Sequence, residues 1–258
     1  MSELLVHTHD GIVRIFFNRV EKSNSISKLL MEEFYSVLKR IQKDPNVRIL
    51  VLQGAGEKSF CAGADLKERA GWTEKDVKYF LDLFRKSLRV LEKIPYPTIS
   101  MLNGFALGGG LEIALATDIR YAKDSATLGL TETSLGIIPG AGGTQRLSRL
   151  IGTSKAKELI FTASRIDAKK ALELGIVTEV FASETYKDEL EKKIESILNN
   201  APIAIKLAKK AIDEGIKLSL EKSLDLEHKL YSKTLTTEDR KEALAAFQEK
   251  RKPNFKGE

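Results

Sequence analysis

The chain changes character near residue 182, and that change limits its fold more than any single motif does. Before it, short β-branched and aromatic runs alternate with stretches of helical periodicity; after Tyr186 only helical patterns remain. This order fits an α/β core followed by an all-helical C-terminal region. Residues 12–17 follow the turn pair Asp10-Gly11 and read as a hairpin strand. Leu29, Leu30, Glu33, Phe34, Val37, Leu38 and Ile41 recur at helical spacing behind a Ser27 cap, and Asp44-Pro45 stops that helix. Residues 47–53 form a continuous apolar run, a strand buried on both faces. A helix over 73–93 carries Val77, Phe80, Leu81, Phe84, Leu88 and Leu91 on one side, and Pro95 and Pro97 end it.

Further on, the pattern predicts strands at 98–102, 119–122, 127–128 and 177–180. It predicts helices from the 108–110 glycines to 117 and over 132–135, 143–151, 154–162 and 167–174, the last closed by Gly175. Ala201-Pro202 opens a later helix with the apolar stripe Ala204, Leu207, Ala208, Ala211 and Ile212.

Composition narrows the function classes. Of 258 residues, 42% are hydrophobic and 30% charged, as in a globular protein, and no apolar run is long enough to span a membrane. The N-terminus has no basic stretch followed by an apolar core, so it does not read as a secretory signal. The single cysteine, Cys61, has apolar neighbours and no nearby histidine; it reads as structural and fits a reducing, cytoplasmic setting. The three histidines are scattered, so no metal site is expected. The net charge of +6 favours phosphorylated or polyanionic partners, or simply keeps the surface solvated. The basic residues are interleaved with acids, as in Glu249-Lys250-Arg251-Lys252, which argues against a nucleic-acid face. The best basic patch, Lys39-Arg40-Ile41-Gln42-Lys43, is short and lacks an aromatic for stacking.

The chemistry-bearing stretch is Gly108-Gly109-Gly110-Leu111-Glu112, read with Glu132. Glycines let backbone approach a ligand closely, or serve tight strand-to-helix packing; the sequence leaves both open. Glu112 is flanked by apolar residues, consistent with a buried acid of raised pKa, although a surface acid fits the pattern too. Glu132 is either a second catalytic acid or a first-turn residue favoured by the helix dipole. The small-residue turn around Ala64 can expose an N–H to a ligand oxygen, or be an ordinary loop. Two nucleotide motifs fail. Gly54-Ala55-Gly56-Glu57-Lys58-Ser59 lacks phosphate-loop spacing, and Gly140-Ala141-Gly142-Gly143-Thr144-Gln145 lacks the third glycine of a dinucleotide fingerprint.

Several motifs in this order resemble the enoyl-CoA hydratase/isomerase (crotonase) family, over about residues 18–256. They are Phe60-Cys61-Ala62-Gly63-Ala64-Asp65-Leu66-Lys67, Asn103-Gly104-Phe105-Ala106-Leu107-Gly108-Gly109-Gly110-Leu111-Glu112, Asp118-Ile119-Arg120, residues 136–147, and Ala246-Phe247-Gln248-Glu249-Lys250-Arg251. The resemblance implies a spiral of repeated β-β-α units with the active site over residues 1–197, and a C-terminal helical oligomerisation region over 198–258 that makes trimers, usually stacked as hexamers. It implies that the N–H groups of Ala64 and Gly109 hold a thioester oxyanion, and that Glu112 and Glu132 are the catalytic acids. Ala62, Asp65 and Leu66 match positions at the adenine end of coenzyme A. Lys67, Phe247 and Lys250 match positions near its nucleotide, the last two across a subunit boundary, and Gly140 matches a glycine of the acyl pocket. Glu21-Lys22-Ser23-Asn24 departs from the family's lysine spacing, which leaves Lys22 a weaker candidate.

The chain looks nearest the methylglutaconyl-CoA hydratase branch, which includes RNA-binding members. The implied activity is addition of water across the 2,3 double bond of a short-chain or branched 2-enoyl-CoA, in fatty-acid or branched-chain amino-acid degradation. Hydration of 3-methylglutaconyl-CoA and enoyl-CoA isomerisation are the alternatives. Coenzyme A is then part of the substrate and no other cofactor is implied. The two glutamates are expected to share one water rather than divide into a fixed acid and a fixed base.

Overall fold

The computed structural model describes residues 2–258, which form two compact units. The first comprises residues 2–94 and 98–190, and the second residues 95–97 and 191–258.

The first unit is built on an antiparallel hairpin, β1 (Leu4–His9) and β2 (Ile12–Phe17), joined by Asp10 and Gly11, both at positive φ as a two-residue hairpin turn requires. Along β2, Val13, Ile15 and Phe17 are buried in alternation, and the Phe17 ring packs edge-on against Phe34 and Phe60 at centroid distances of 5.6 and 5.3 Å. Helix α1 (Lys28–Ile41) starts where Ser27 Oγ accepts the Leu30 N–H, and buries Leu30, Met31, Phe34, Leu38 and Ile41. Its last turn carries Lys39 and Arg40, favourably placed against the helix dipole, which gives the basic patch a structural use.

Three β-β-α turns follow, and each sends one strand to each of two sheets. β3 (Ile49–Gly54) and β4 (Ser59–Cys61) precede α2 (Leu66–Arg69) and α3 (Glu74–Glu92). β5 (Thr98–Leu102) and β6 (Phe105–Leu107) precede α4 (Gly109–Ala114). β7 (Ile119–Lys123) and β8 (Thr127–Gly129) precede a 3-10 turn at Glu132–Leu135, then α5 (Gly143–Ile151) and α6 (Thr153–Phe161). β9 (Ile166–Asp167), α7 (Ala168–Glu173) and β10 (Glu179–Phe181) complete the unit. The larger sheet runs β1-β2-β3-β5-β7-β10 and the smaller β4-β6-β8-β9. β4, β6 and β8 are parallel, so their C-terminal ends lie at one edge. In an all-parallel arrangement that edge is where ligands bind.

The long apolar strand is β3, buried at every position, as its composition predicts. The predicted helix over 73–93 is α3, with a Thr73–Asp76 capping box. The short strands β4, β6 and β9 are not predicted by the pattern; the structure makes strand of the start of the Phe60–Lys67 segment, which reads as a turn. The helix expected to run to residue 117 stops at Ala114, where the Thr117 hydroxyl donates to the Ala114 carbonyl. The glycine run serves packing at Gly110, where a Cβ would stand 2.0 Å from the Cys61 carbonyl oxygen.

The second unit is helical: the end of α8 (Tyr186–Leu198), then α9 (Pro202–Gly215), α10 (Leu220–Ser232) and α11 (Glu238–Gln248). Pro202 occupies the first turn of α9, where its missing N–H costs nothing. The α9 stripe is not buried within the unit: Ile212 is 68% exposed. With α10 and α11 it lines an apolar groove of about 570 Å³. No helix among the described residues is long and apolar enough to cross a membrane.

Candidate active site

The C-terminal ends of β4, β6 and β8 open on a cavity of about 830 Å³, lined by residues of the first unit only. Each strand delivers one functional segment to it. β4 leads to Ala62–Ala64, β6 to Gly108, Gly109 and Glu112, and β8 to Thr131 and Glu132.

The Ala64 amide is aimed by its neighbours. Ile26 N–H donates to the Gly63 carbonyl at 2.7 Å, and Asp65 N–H donates to the Ile26 carbonyl at 2.9 Å. In this parallel bridge the polar groups of Ala64 itself face away from Ile26. Gly109 is the first residue of α4, so its N–H has no intrahelical acceptor. The two segments meet at Gly63, where φ is +90° and a Cβ would stand 2.8 Å from the Leu107 carbonyl oxygen and 3.4 Å from the Gly109 nitrogen.

Both glutamates are buried, Glu112 at 2% and Glu132 at 8% exposure, which removes the surface-acid readings. Their settings differ. Glu112 Oε1 accepts the N–H of Ala141 at 2.8 Å and of Gly143 at 2.7 Å. Burial raises its pKa; these donors and the charge of Arg146 offset part of that rise. Arg146 also holds the loop that supplies the donors, through Nη1 to the Ala141 carbonyl at 2.7 Å and Nε to Glu92 at 2.7 Å. Glu132 Oε2 has no hydrogen-bond partner. Burial, and then the Glu112 charge, push its pKa up to about 7.

Of the other expected residues, Ala62, Leu66 and Gly140 line the cavity. Asp65 does not: its carboxylate caps α2 through the Glu68 N–H and pairs with Arg19 Nη2 at 2.9 Å. Lys22, largely exposed, lies 3.6 Å from the same carboxylate. Lys67 is exposed, and Phe247 and Lys250 are exposed in the second unit. The Cys61 thiol is fully buried and pushed up to about 12 by that burial, so it does not serve as a thiolate nucleophile at neutral pH.

Pattern reading did not assign a role in the site to its wall. Val77, Phe80, Leu81 and Phe84 of α3 form an apolar side of the cavity, a stripe that in sequence looks like ordinary core. Arg69 and Arg165 are its cationic lining residues. Neither side chain has an ion-pair partner among the described residues. Arg146 had a signal: it follows Gly142 by one helical turn, within reach of the loop it braces.

A spiral of two-sheet turns, with free amides and two buried acids at one strand edge, defines a crotonase-type enzyme. The profile described as "Enoyl-CoA hydratase/isomerase" matches residues 7–258, and the chain belongs to that family. A crystal structure of enoyl-CoA hydratase from Bacillus anthracis superposes with a TM-score of 0.96, at 47% identity over 99% of this chain and 100% of that one. Human mitochondrial methylglutaconyl-CoA hydratase is 43% identical over 96% of this chain and 74% of its own length. Mouse mitochondrial enoyl-CoA hydratase domain-containing protein 2 is 40% identical over 99% of this chain and 88% of its own.

Proposed function

We propose that the cavity hydrates a 2-enoyl-CoA thioester to the 3-hydroxyacyl thioester. The observation that carries this reading is the presence of two buried glutamates in the same cavity as the Ala64 and Gly109 amides. The thioester oxygen lies between those amides. Water adds to C3, the double-bond electrons move through C2 to the carbonyl, and the resulting enolate charge rests on the two N–H groups. Each such donor lowers the barrier by roughly 3–4 kcal/mol.

Glu112, whose charged form is supported by two backbone donors, takes the proton from water. Glu132, held near a pKa of about 7, is protonated in a large share of molecules at neutral pH and gives its proton to C2. The pair handles one water between them, but their unequal settings bias the proton toward Glu132, in place of the undivided sharing expected from the sequence. Double-bond isomerisation needs only one proton shuttle, so the retention of both acids favours hydration. Loss of enoyl-thioester absorbance with crotonyl-CoA tests the reading; no loss with any 2-enoyl-CoA sinks it.

One observation favours a second substrate. Arg69 and Arg165, without ion-pair partners, line an otherwise largely apolar cavity and suit an acyl chain that ends in a carboxylate, as in 3-methylglutaconyl-CoA. Arg69→Met then lowers kcat/KM for that ester at least tenfold more than for crotonyl-CoA. Equal losses assign the arginine to the CoA phosphates.

The same proposal includes trimers, or hexamers of two trimers, formed through the exposed α9–α11 face, with Phe247 and Lys250 reaching a neighbouring subunit's CoA. It places the enzyme in a reducing compartment, the cytoplasm, in fatty-acid or branched-chain amino-acid breakdown, with no cofactor beyond the CoA of the substrate.

A further inference from the structure

Arg19 is the centre of a buried ionic knot that the reaction as described does not use. Its side chain is only 7% exposed. The guanidinium fork reaches three separate segments: Nε to Glu3 Oε1 at 2.9 Å, Nη1 to the Ser25 carbonyl at 2.6 Å, and Nη2 to Asp65 Oδ2 at 2.9 Å. Two of these acceptors adjoin the bridge that aims the Ala64 amide. Ser25 precedes Ile26, whose N–H and C=O bond to Gly63 and Asp65, and Asp65 directly follows Ala64. Asp65 Oδ1 accepts the Glu68 N–H at 3.2 Å, so the same side chain also sets the start of α2, which carries the cavity residues Leu66 and Arg69. A second tie, Ala62 N–H to the Ser23 carbonyl at 3.1 Å, closes the other side of the loop.

Buried ion pairs are weak stabilisers compared with apolar packing of similar volume. A planar fork that fixes three acceptors at once does something packing cannot: it sets direction. We infer that Arg19 is a positioning residue, which holds the Ala64 N–H on the thioester oxygen by gripping Asp65, the residue after it, and Ser25, the residue before its bridge partner Ile26. This rests on the reading of Ala64 as an oxyanion donor. It also gives Asp65 a role different from the contact with CoA that its motif implies.

The test compares wild type, Arg19→Met and Arg19→Lys with two probes. One is crotonyl-CoA. The other is the p-dimethylaminocinnamoyl thioester of CoA, whose absorption band moves to the red when N–H donors draw charge onto its carbonyl oxygen. In Arg19→Met, kcat falls roughly 10- to 100-fold with KM within about twofold, because a donor is displaced rather than removed. The bound probe loses at least half of its red shift while its affinity stays within about threefold. Arg19→Lys, which keeps the charge but not the fork, lies between.

Arg19→Met with the full red shift and wild-type kcat overturns the inference and leaves the oxyanion reading standing. A wild-type enzyme that binds the probe without any red shift overturns both. Should Arg19→Met fail to fold, Asp65→Asn replaces it: the volume and an oxygen that can cap α2 are kept, and the pairing charge is lost. The same loss of shift is expected there, and a full shift overturns the inference.

Discussion

The cavity walled by α3 and the groove along α9 both present largely apolar linings, and both include buried acids: Glu112 and Glu132 in the first, Asp239 in the second. The acids are treated differently. Asp239 accepts the N–H of Lys256 at 2.7 Å and of Gly257 at 3.1 and 3.0 Å, so its carboxylate ties down the C-terminal segment. Glu132 keeps one oxygen without a partner and faces the charge of Glu112. Neither size nor apolarity separates a reactive site from a packing surface. What separates them is whether one of the buried acids is left unsatisfied, as Glu132 is beside the satisfied Glu112, since an unsatisfied acid holds its proton near neutral pH and can exchange it.

The largest effect that would break this contrast is catalytic. Glu112→Gln or Glu132→Gln lowers kcat for crotonyl-CoA by roughly a thousandfold, as loss of a positioned acid or base does. Asp239→Asn stays within a few-fold in the same assay and instead exposes the C-terminal segment to protease. Equal losses in the two regions would erase the distinction.

Stability comes next. The folded pKa of Glu132, about 7, lies above the 4.5 of an ordinary glutamate. The folded chain therefore binds a proton that the unfolded chain has released between those values, so stability falls as pH rises from about 4.5 through 7. Glu132→Gln removes that loss, and its stability relative to wild type, from urea unfolding, is better at pH 8 than at pH 4.5 by roughly 3 kcal/mol.

Smaller effects sharpen the groove's side of the comparison. Ile212→Glu removes roughly 1.5–2 kcal/mol of apolar burial per subunit contact, and sedimentation shows smaller particles than wild type. Unchanged sedimentation would show that α9 is not the assembly face. Smallest is Ser27→Ala, which removes the cap of α1 together with the hydroxyl's bond to Glu3 and costs about 1 kcal/mol in thermal unfolding.

How much was legible follows from length and period. α1, α3 and β3 each bury a run long enough to set a clear repeat, and their positions match the sequence reading within a residue or two. β4, β6 and β9 are three, three and two residues long, too short for any alternation to register. Glu112 and Glu132 could be named, but their burial could not. It depends on the 141–143 loop and on α3, which are distant in sequence. The pairing of the Asp65 side chain was hidden for a related reason. Its motif marks a place in the loop, whereas the direction of its carboxylate is set by Arg19, 46 residues earlier.

Each of the three parallel strand tips contributes a different part: an amide from the first, an amide and a carboxylate from the second, a carboxylate from the third. Reaction type is therefore addressable one coil at a time. On the proposed mechanism, a change of the last tip alone, Glu132 to a neutral or basic group, would leave the proposed oxyanion grip intact and redirect the same enolate toward another fate. An insertion within a coil would instead throw every later tip out of phase with those before it.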